Sequence, residues 1–126
     1  MTVVAAELYQ RLSVVLYDAA DFRGAEEVLE TALGLCDASP DAGVESACLS
    51  CMAYVLRERG EWQRAGEMCR ELIADGTAVW VAEGLLGAIQ CFEGRYGSAR
   101  RLLTASLTMA ARERRSGGSG RMPYNP

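Results

Sequence analysis

Two cysteines at C-x-x-C spacing are the first residues in this sequence that could do chemistry. Cys48 and Cys51 have the separation found in redox motifs and in half of a zinc site. The chain has no histidine, and no second pair of cysteines has this spacing. We therefore favour small apolar side chains on a buried helix face, and expect Cys36, Cys69 and Cys91 to be equally reduced and unlinked. The sequence predicts neither a metal nor a cofactor.

Asp18 and Asp21 are the nearest approach to a catalytic pair. Two neighbouring carboxylates can divide acid and base work, but acidic residues beside helix ends are more simply solvated caps. The sequence also has no histidine to act as a base, no phosphate-cradling glycine loop and no serine on a strand-to-helix elbow. We expect no catalytic residues and a protein that is not an enzyme.

The elements that position these residues recur along the chain. Leu49, Met52, Ala53 and Leu56 follow helical spacing, and the rhythm resumes after a break at residues 60–62. The aromatic residue of a predicted turn is followed three positions later by alanine in three places: Phe22 with Ala25, Trp62 with Ala65, and Tyr96 with Ala99. Offsets of about forty and thirty-four residues are typical of a stacked helical repeat.

The pattern predicts six helices in three pairs. They cover about 3–18, 22–36, 43–59, 62–74, 78–93 and 96–115, with Pro40 and Gly76 at breaks between pairs. The first helix is predicted to bury Leu8, Leu12, Val15 and Leu16, and the sixth Leu102, Leu103, Leu107 and Met109. Small residues are predicted where paired helices cross: Ser13 opposite Ala25, Ala53 opposite Ala65, and Gly87 opposite Ala99.

With these residues the sequence resembles the tetratricopeptide repeat family over about residues 6–111. The matching positions are Leu12-Ser13 with Ala25, Met52-Ala53 with Ala65, and Leu86-Gly87-Ala88 with Gly94-Arg95-Tyr96 and Ala99. Tyr9, Leu49 and Glu83 replace the family's first large aromatic, and its closing proline is missing from the second and third units. The resemblance implies an all-α fold, a right-handed array of three antiparallel helix pairs. Degenerate repeats of this kind resemble those of bacterial regulatory proteins.

In that family the first helix of each pair lines a concave groove that holds an extended peptide or a partner's helix. The resemblance places these residues in the groove: Gln10, Val14, Tyr17, Ser50, Cys51, Tyr54, Arg57, Val81, Gly84, Leu85 and Ala88. Tyr17 and Tyr54 are the expected anchors, because tyrosine offers a large contact area with a polar tip. The alternative is that both tyrosines only cap the seam between helices. Too few cations are present for a carboxylate clamp; only Arg57 and Arg11 are suitable.

The end of the chain has a different composition. Residues 1–115 form the predicted repeat domain, and Ser116 to Gly120 have the composition of a flexible linker, as at an engineered junction. The last segment, Arg121 to Pro126, has two prolines and the profile of a short linear motif; the alternative is a residual expression tag. We expect it to bind a concave helical face of its own chain or of a second copy, pairing two copies by tail exchange where it crosses over. The expected ligand residues are Met122, Pro123, Tyr124, Asn125 and Pro126.

Composition limits the partners. The net charge is -4 and the pI is about 4.9, whereas nucleic-acid modules usually carry a basic face. No apolar run approaches the roughly 20 residues that cross a bilayer, and the first residues lack the pattern of a secretory signal. We expect a cytoplasmic protein-interaction module whose protein or peptide partner carries a Met-Pro-Tyr-Asn-Pro-like segment. The alternative is a structural domain that oligomerises through exposed helix faces.

Overall fold

The computed structural model describes the backbone of residues 2–76 and 78–115, and every side chain in these two ranges except that of Arg115. This part of the chain is all-helical, as predicted, and contains six α-helices. They are α1 (Thr2–Asp18), α2 (Phe22–Ala38), α3 (Ala42–Glu58), α4 (Trp62–Asp75), α5 (Val79–Phe92) and α6 (Tyr96–Arg115). Each helix packs against the next, and α3 also contacts both α1 and α5. None of the described helices has the length and apolar character needed to span a bilayer.

Three turns share one backbone geometry. Ala20, Gly60 and Gly94 have positive φ angles of 63°, 80° and 81°. In each turn the next N–H donates to the carbonyl five residues earlier: Asp21 to Leu16 at 2.8 Å, Glu61 to Leu56 at 2.8 Å, and Arg95 to Gln90 at 2.9 Å. These bonds satisfy carbonyls that the preceding helix leaves without partners. The offsets that relate the sequence motifs therefore also relate the turns.

Side chains fix where the helices start after the first and second breaks. Asp21 accepts a hydrogen bond from the Gly24 N–H at 2.9 Å, and Asp41 accepts one from the Val44 N–H at 3.0 Å. Both are N-caps, which satisfy amides that have no partner inside the helix. The capping role predicted for Asp21 is confirmed, whereas Asp18 is the exposed last residue of α1.

The small residues predicted at the helix crossings are buried, and the contact itself is seen at Gly87. A Cβ added to Gly87 would lie 3.2 Å from the Ala99 carbonyl oxygen and 2.8 Å from Leu103 Cγ, so α5 and α6 touch at the expected place. The other two pairs of small residues are at most 1% exposed: Ser13 and Ala25, and Ala53 and Ala65. Larger side chains around them form one buried core that includes Leu29, Met52, Leu56, Leu72 and Ile89.

The predicted buried face of α1 is wrong. Leu8, Leu12 and Val15 are 61%, 44% and 63% exposed, and Leu16 is half-buried. The helix instead buries its small and polar residues, Ala6, Gln10 and Ser13. The reason is that α1 packs against α2 and α3, and no described helix covers its other side. Leu107 on α6 was also expected in the core, but it is 71% exposed.

Candidate peptide-binding groove

The ends of α1 and α3 bring two aromatic side chains together. The Tyr17 and Tyr54 rings pack edge to face, with centroids 6.4 Å apart and planes at 85°. Phe22, at the start of α2, also packs edge to face against Tyr17, with ring centroids 5.3 Å apart. Both tyrosines are half-buried, so their rings are held by neighbours while part of each surface remains open. This geometry is favourable for aromatic pairs and limits the rotamers that the rings can adopt.

Polar groups join the two rings into what we call the tyrosine cluster, defined as Tyr17, Tyr54, Arg57 and Glu58. The Tyr17 hydroxyl donates to Glu58 Oε1 at 3.3 Å, and Arg57 Nη2 donates to the same oxygen at 2.8 Å. The Arg57 guanidinium carbon lies 5.2 Å from the centre of the Tyr54 ring, a cation–π distance. Burial, and then the Glu58 carboxylate, raise the pKa of Tyr17, so its hydroxyl remains a donor at neutral pH.

The surface between the rings is shallow. A dimple of about 10 Å³ is lined by Ser13, Val14, Tyr17, Cys51, Tyr54 and Val55. That volume is about what one water molecule needs, so no large side chain can insert there without movement. A ligand at this place would lie across the tyrosine rings rather than fill a deep pocket.

A larger cleft opens at the other end of α1 and α3. Its volume is about 310 Å³, and it is lined by Glu7, Gln10, Arg11, Asp41, Gly43, Val44 and Ala47. Arg11 donates to Glu7 at 3.1 Å, so its charge already has a carboxylate neighbour. The two ends of the α1–α3 face therefore differ, with a polar cleft at one end and the tyrosine cluster at the other.

The predicted groove residues divide into two sets by burial. Five are at most 7% exposed: Gln10, Ser50, Cys51, Val81 and Leu85. Gln10 donates to the Cys51 thiol at 3.3 Å and Ser50 donates to the Ser46 carbonyl at 2.9 Å, so these polar groups bond within the protein. The second set is half-buried and offers surface to a ligand: Val14, Tyr17, Tyr54, Arg57 and Ala88.

Gly84, the remaining predicted groove residue, faces α6. A Cβ added there would lie 2.8 Å from the Ser106 hydroxyl oxygen, which places this residue against α6. The structure thus brings Val14, Tyr17, Tyr54 and Arg57 together on α1 and α3, and Ala88 follows on α5. The expected ligand segment, Met122 to Pro126, lies outside the described residues.

Sequence reasoning missed two members of this site, Phe22 and Glu58. Phe22 was noted only as a turn residue, although its position just after α1 places it beside Tyr17. Glu58 was not singled out from the sequence. Glu58 lies forty residues after Asp18, the residue that follows Tyr17. This offset, the same as that between Phe22 and Trp62, was the available signal that the Glu58 carboxylate lies near the first tyrosine.

The C-x-x-C cysteines are in an environment that suppresses reactivity. Cys48 is fully buried, and burial raises its pKa to about 12. Burial also raises the pKa of Cys51, although the hydrogen bond from Gln10 opposes that shift. Because the thiolate is the reactive form, both groups are poor nucleophiles at neutral pH. This agrees with the interpretation of these residues as core side chains.

Comparisons with known proteins give no relative. The chain matches no protein-family model, no curated protein and no solved structure.

Proposed function

We propose that the chain is a degenerate tetratricopeptide-like module that binds an extended segment of a partner protein across α1 and α3. The observation that carries the proposal is the half-buried tyrosine cluster on the first helices of two successive units. Tyrosines held by neighbouring groups can bind with little loss of side-chain entropy, which is why they often anchor interfaces. The three matching turns support the repeat arrangement.

Charge narrows the ligand class. Arg57 is 2.8 Å from Glu58, and Arg11 is 3.1 Å from Glu7. Both cations of the α1–α3 face thus have a carboxylate beside them, and a ligand carboxylate would have to displace it. We expect a neutral peptide whose proline or aromatic side chains lie on the tyrosine rings. The segment Met122 to Pro126 fits that class, since its side chains are uncharged and include two prolines and a tyrosine.

The experiment is a titration of a synthetic Met-Pro-Tyr-Asn-Pro peptide into the domain ending at Arg115. Binding is expected at micromolar to millimolar peptide, and Tyr54→Ala should weaken it by about tenfold, which is a typical loss for an anchor residue. Tyr96→Ala is the matched control, because Tyr96 is 69% exposed at the start of α6. A folded domain that shows no binding at millimolar peptide would contradict the proposal for this ligand. Equal losses from both variants would contradict the assigned site.

A further inference from the structure

The side of α1 that faces away from the core is apolar. Val4, Leu8, Leu12 and Val15 follow one another at intervals of four, four and three residues, so they form one stripe. They are 50%, 61%, 44% and 63% exposed. We call this stripe the outer face of α1. A helix with apolar residues on one side and buried residues on the other is typical of the interior of a protein.

The equivalent positions in the other two first helices are covered. A shift of forty residues takes Leu8, Leu12 and Val15 to Cys48, Met52 and Val55, which are at most 2% exposed. A further shift of thirty-four residues leads to Ala82, Leu86 and Ile89, which are at most 5% exposed. The outer face of α1 therefore has the chemistry of a helix-packing surface.

The structure shows what covers these positions in α3 and α5. The Cys48 thiol of α3 hydrogen-bonds to the Cys36 thiol of α2. In α5, Leu86 Cδ1 would lie 3.7 Å from a Cβ added to Gly66 of α4. In both cases the second helix of the preceding pair provides the partner. No described helix precedes α1.

The other end of the protein is a poor partner for this face. On α6 the positions equivalent to Gly66 and Arg70 are Arg100 and Thr104, both exposed. Packing α6 of one copy on α1 of another would bring the Arg100 guanidinium against leucine side chains, and a cation buried without a partner is unfavourable. Head-to-tail contacts also propagate instead of closing with two copies.

We propose that two copies of this chain pair through the outer faces of their α1 helices, antiparallel and about a two-fold axis. Such an interface is self-complementary, as the commonest closed dimers are. Placing Leu8 of one copy opposite Leu12 of the other also places Val4 opposite Val15. Because like edges meet in an antiparallel pair, Glu7 then lies beside Arg11 of the second copy.

Charge selects this register over its neighbour. The two Arg11 side chains lie equally near each other in both registers, so they do not discriminate between them. Placing Leu12 opposite Leu12 of the second copy would put Glu7 beside Asp18 instead of Arg11. Like charges at these distances disfavour that arrangement. Val14 and Tyr17 lie on another side of α1, so the pairing leaves the tyrosine cluster accessible and does not depend on the proposed peptide function.

The test uses the full chain and measures its mass in solution from micromolar to millimolar concentration by analytical ultracentrifugation. The wild type should shift from one copy to two. Leu8→Glu should raise the dimer dissociation constant on the order of a hundredfold, because it places a carboxylate in an apolar interface. Leu107→Glu is the matched control: this leucine is 71% exposed on α6 and should tolerate the change. Helical circular dichroism should be unchanged in both variants.

Three results would overturn the proposal. They are a wild type that stays a single copy at millimolar concentration, a dimer that Leu8→Glu leaves intact, and a dimer that Leu107→Glu weakens as strongly as Leu8→Glu. The last result would point to head-to-tail assembly. The register has its own test: Glu7→Arg and Arg11→Glu should each weaken the dimer by a few-fold, and the double exchange should restore it. A double variant as weak as the single variants would contradict the register.

Discussion

Helices α1 and α3 carry apolar residues at equivalent positions, yet those residues are exposed on α1 and buried on α3. Val15 is 63% exposed on α1, whereas Val55, forty residues later, is 1% exposed on α3. The residue type and the register are the same, so neither accounts for the difference. What differs is the neighbour, because α2 precedes α3 and no described helix precedes α1. Whether an apolar helix face is buried thus depends on which helices pack against it as well as on the helix's own pattern.

Aspartate at the two valine positions gives the largest expected contrast. Val55→Asp puts a charge in the core and should reduce the free energy of unfolding by more than about 4 kcal/mol, a large share of a small domain's stability. Val15→Asp should change it by less than about 0.5 kcal/mol. Urea unfolding should be followed in dilute solution, below the concentrations at which two copies are proposed to pair. Should Val55→Asp be too unstable to purify, Val55→Ala is the milder substitute, with an expected loss of about 2 kcal/mol.

The two valines also show why the sequence predicted the helices better than their surroundings. Apolar periodicity and the turn residues give each of the six helices to within a few residues, since both signals are local. The contact between α5 and α6 at Gly87 was predictable as well, because close helix approach excludes larger side chains there. Periodicity cannot tell which apolar face has a neighbour. For that reason Leu8 and Leu12 were placed in the core.

The groove was predicted only in part for a related reason. The register identifies which side of a helix a residue is on, but not how closely the next helix approaches that side. The register placed Gln10 and Cys51 in the groove, but both are buried, and Gln10 donates a hydrogen bond to the Cys51 thiol between α1 and α3. Tyr17 and Tyr54 remain accessible because their rings extend beyond this seam.

Raising the pH should lower the free energy of unfolding through the buried cysteines. Burial raises the pKa of Cys48 and of Cys69 from an ordinary value of 9.0 to about 12. A group whose pKa is higher in the folded state binds more protons there, so its contribution is complete below pH 9 and declines as the pH rises toward 12. By pH 12 the loss should be on the order of a few kcal/mol per thiol.

Urea unfolding across this pH range measures that loss, and single variants assign it. Cys69→Ala should flatten the pH dependence, whereas Cys91→Ala should leave it unchanged, because Cys91 is exposed. A pH dependence that survives removal of Cys69 and, in a second variant, of Cys48 would show that other groups dominate it. Tyr17 adds a smaller loss of the same sign above pH 10, because its pKa is also raised.

The smallest expected effect concerns the turns, where the first turn has alanine and the other two have glycine at the position of positive φ. Ala20 has a φ of 63°, in the left-handed region, and the equivalent residues are Gly60 and Gly94. A side chain costs about 1 kcal/mol in that conformation, whereas glycine adopts it without strain. We therefore expect Ala20→Gly to raise the free energy of unfolding by up to about 1 kcal/mol, while Gly60→Ala and Gly94→Ala lower it by a similar amount. Urea unfolding of the three variants gives the comparison. If Ala20→Gly destabilises the chain while Gly60→Ala behaves as expected, the first turn does not share the backbone geometry of the other two.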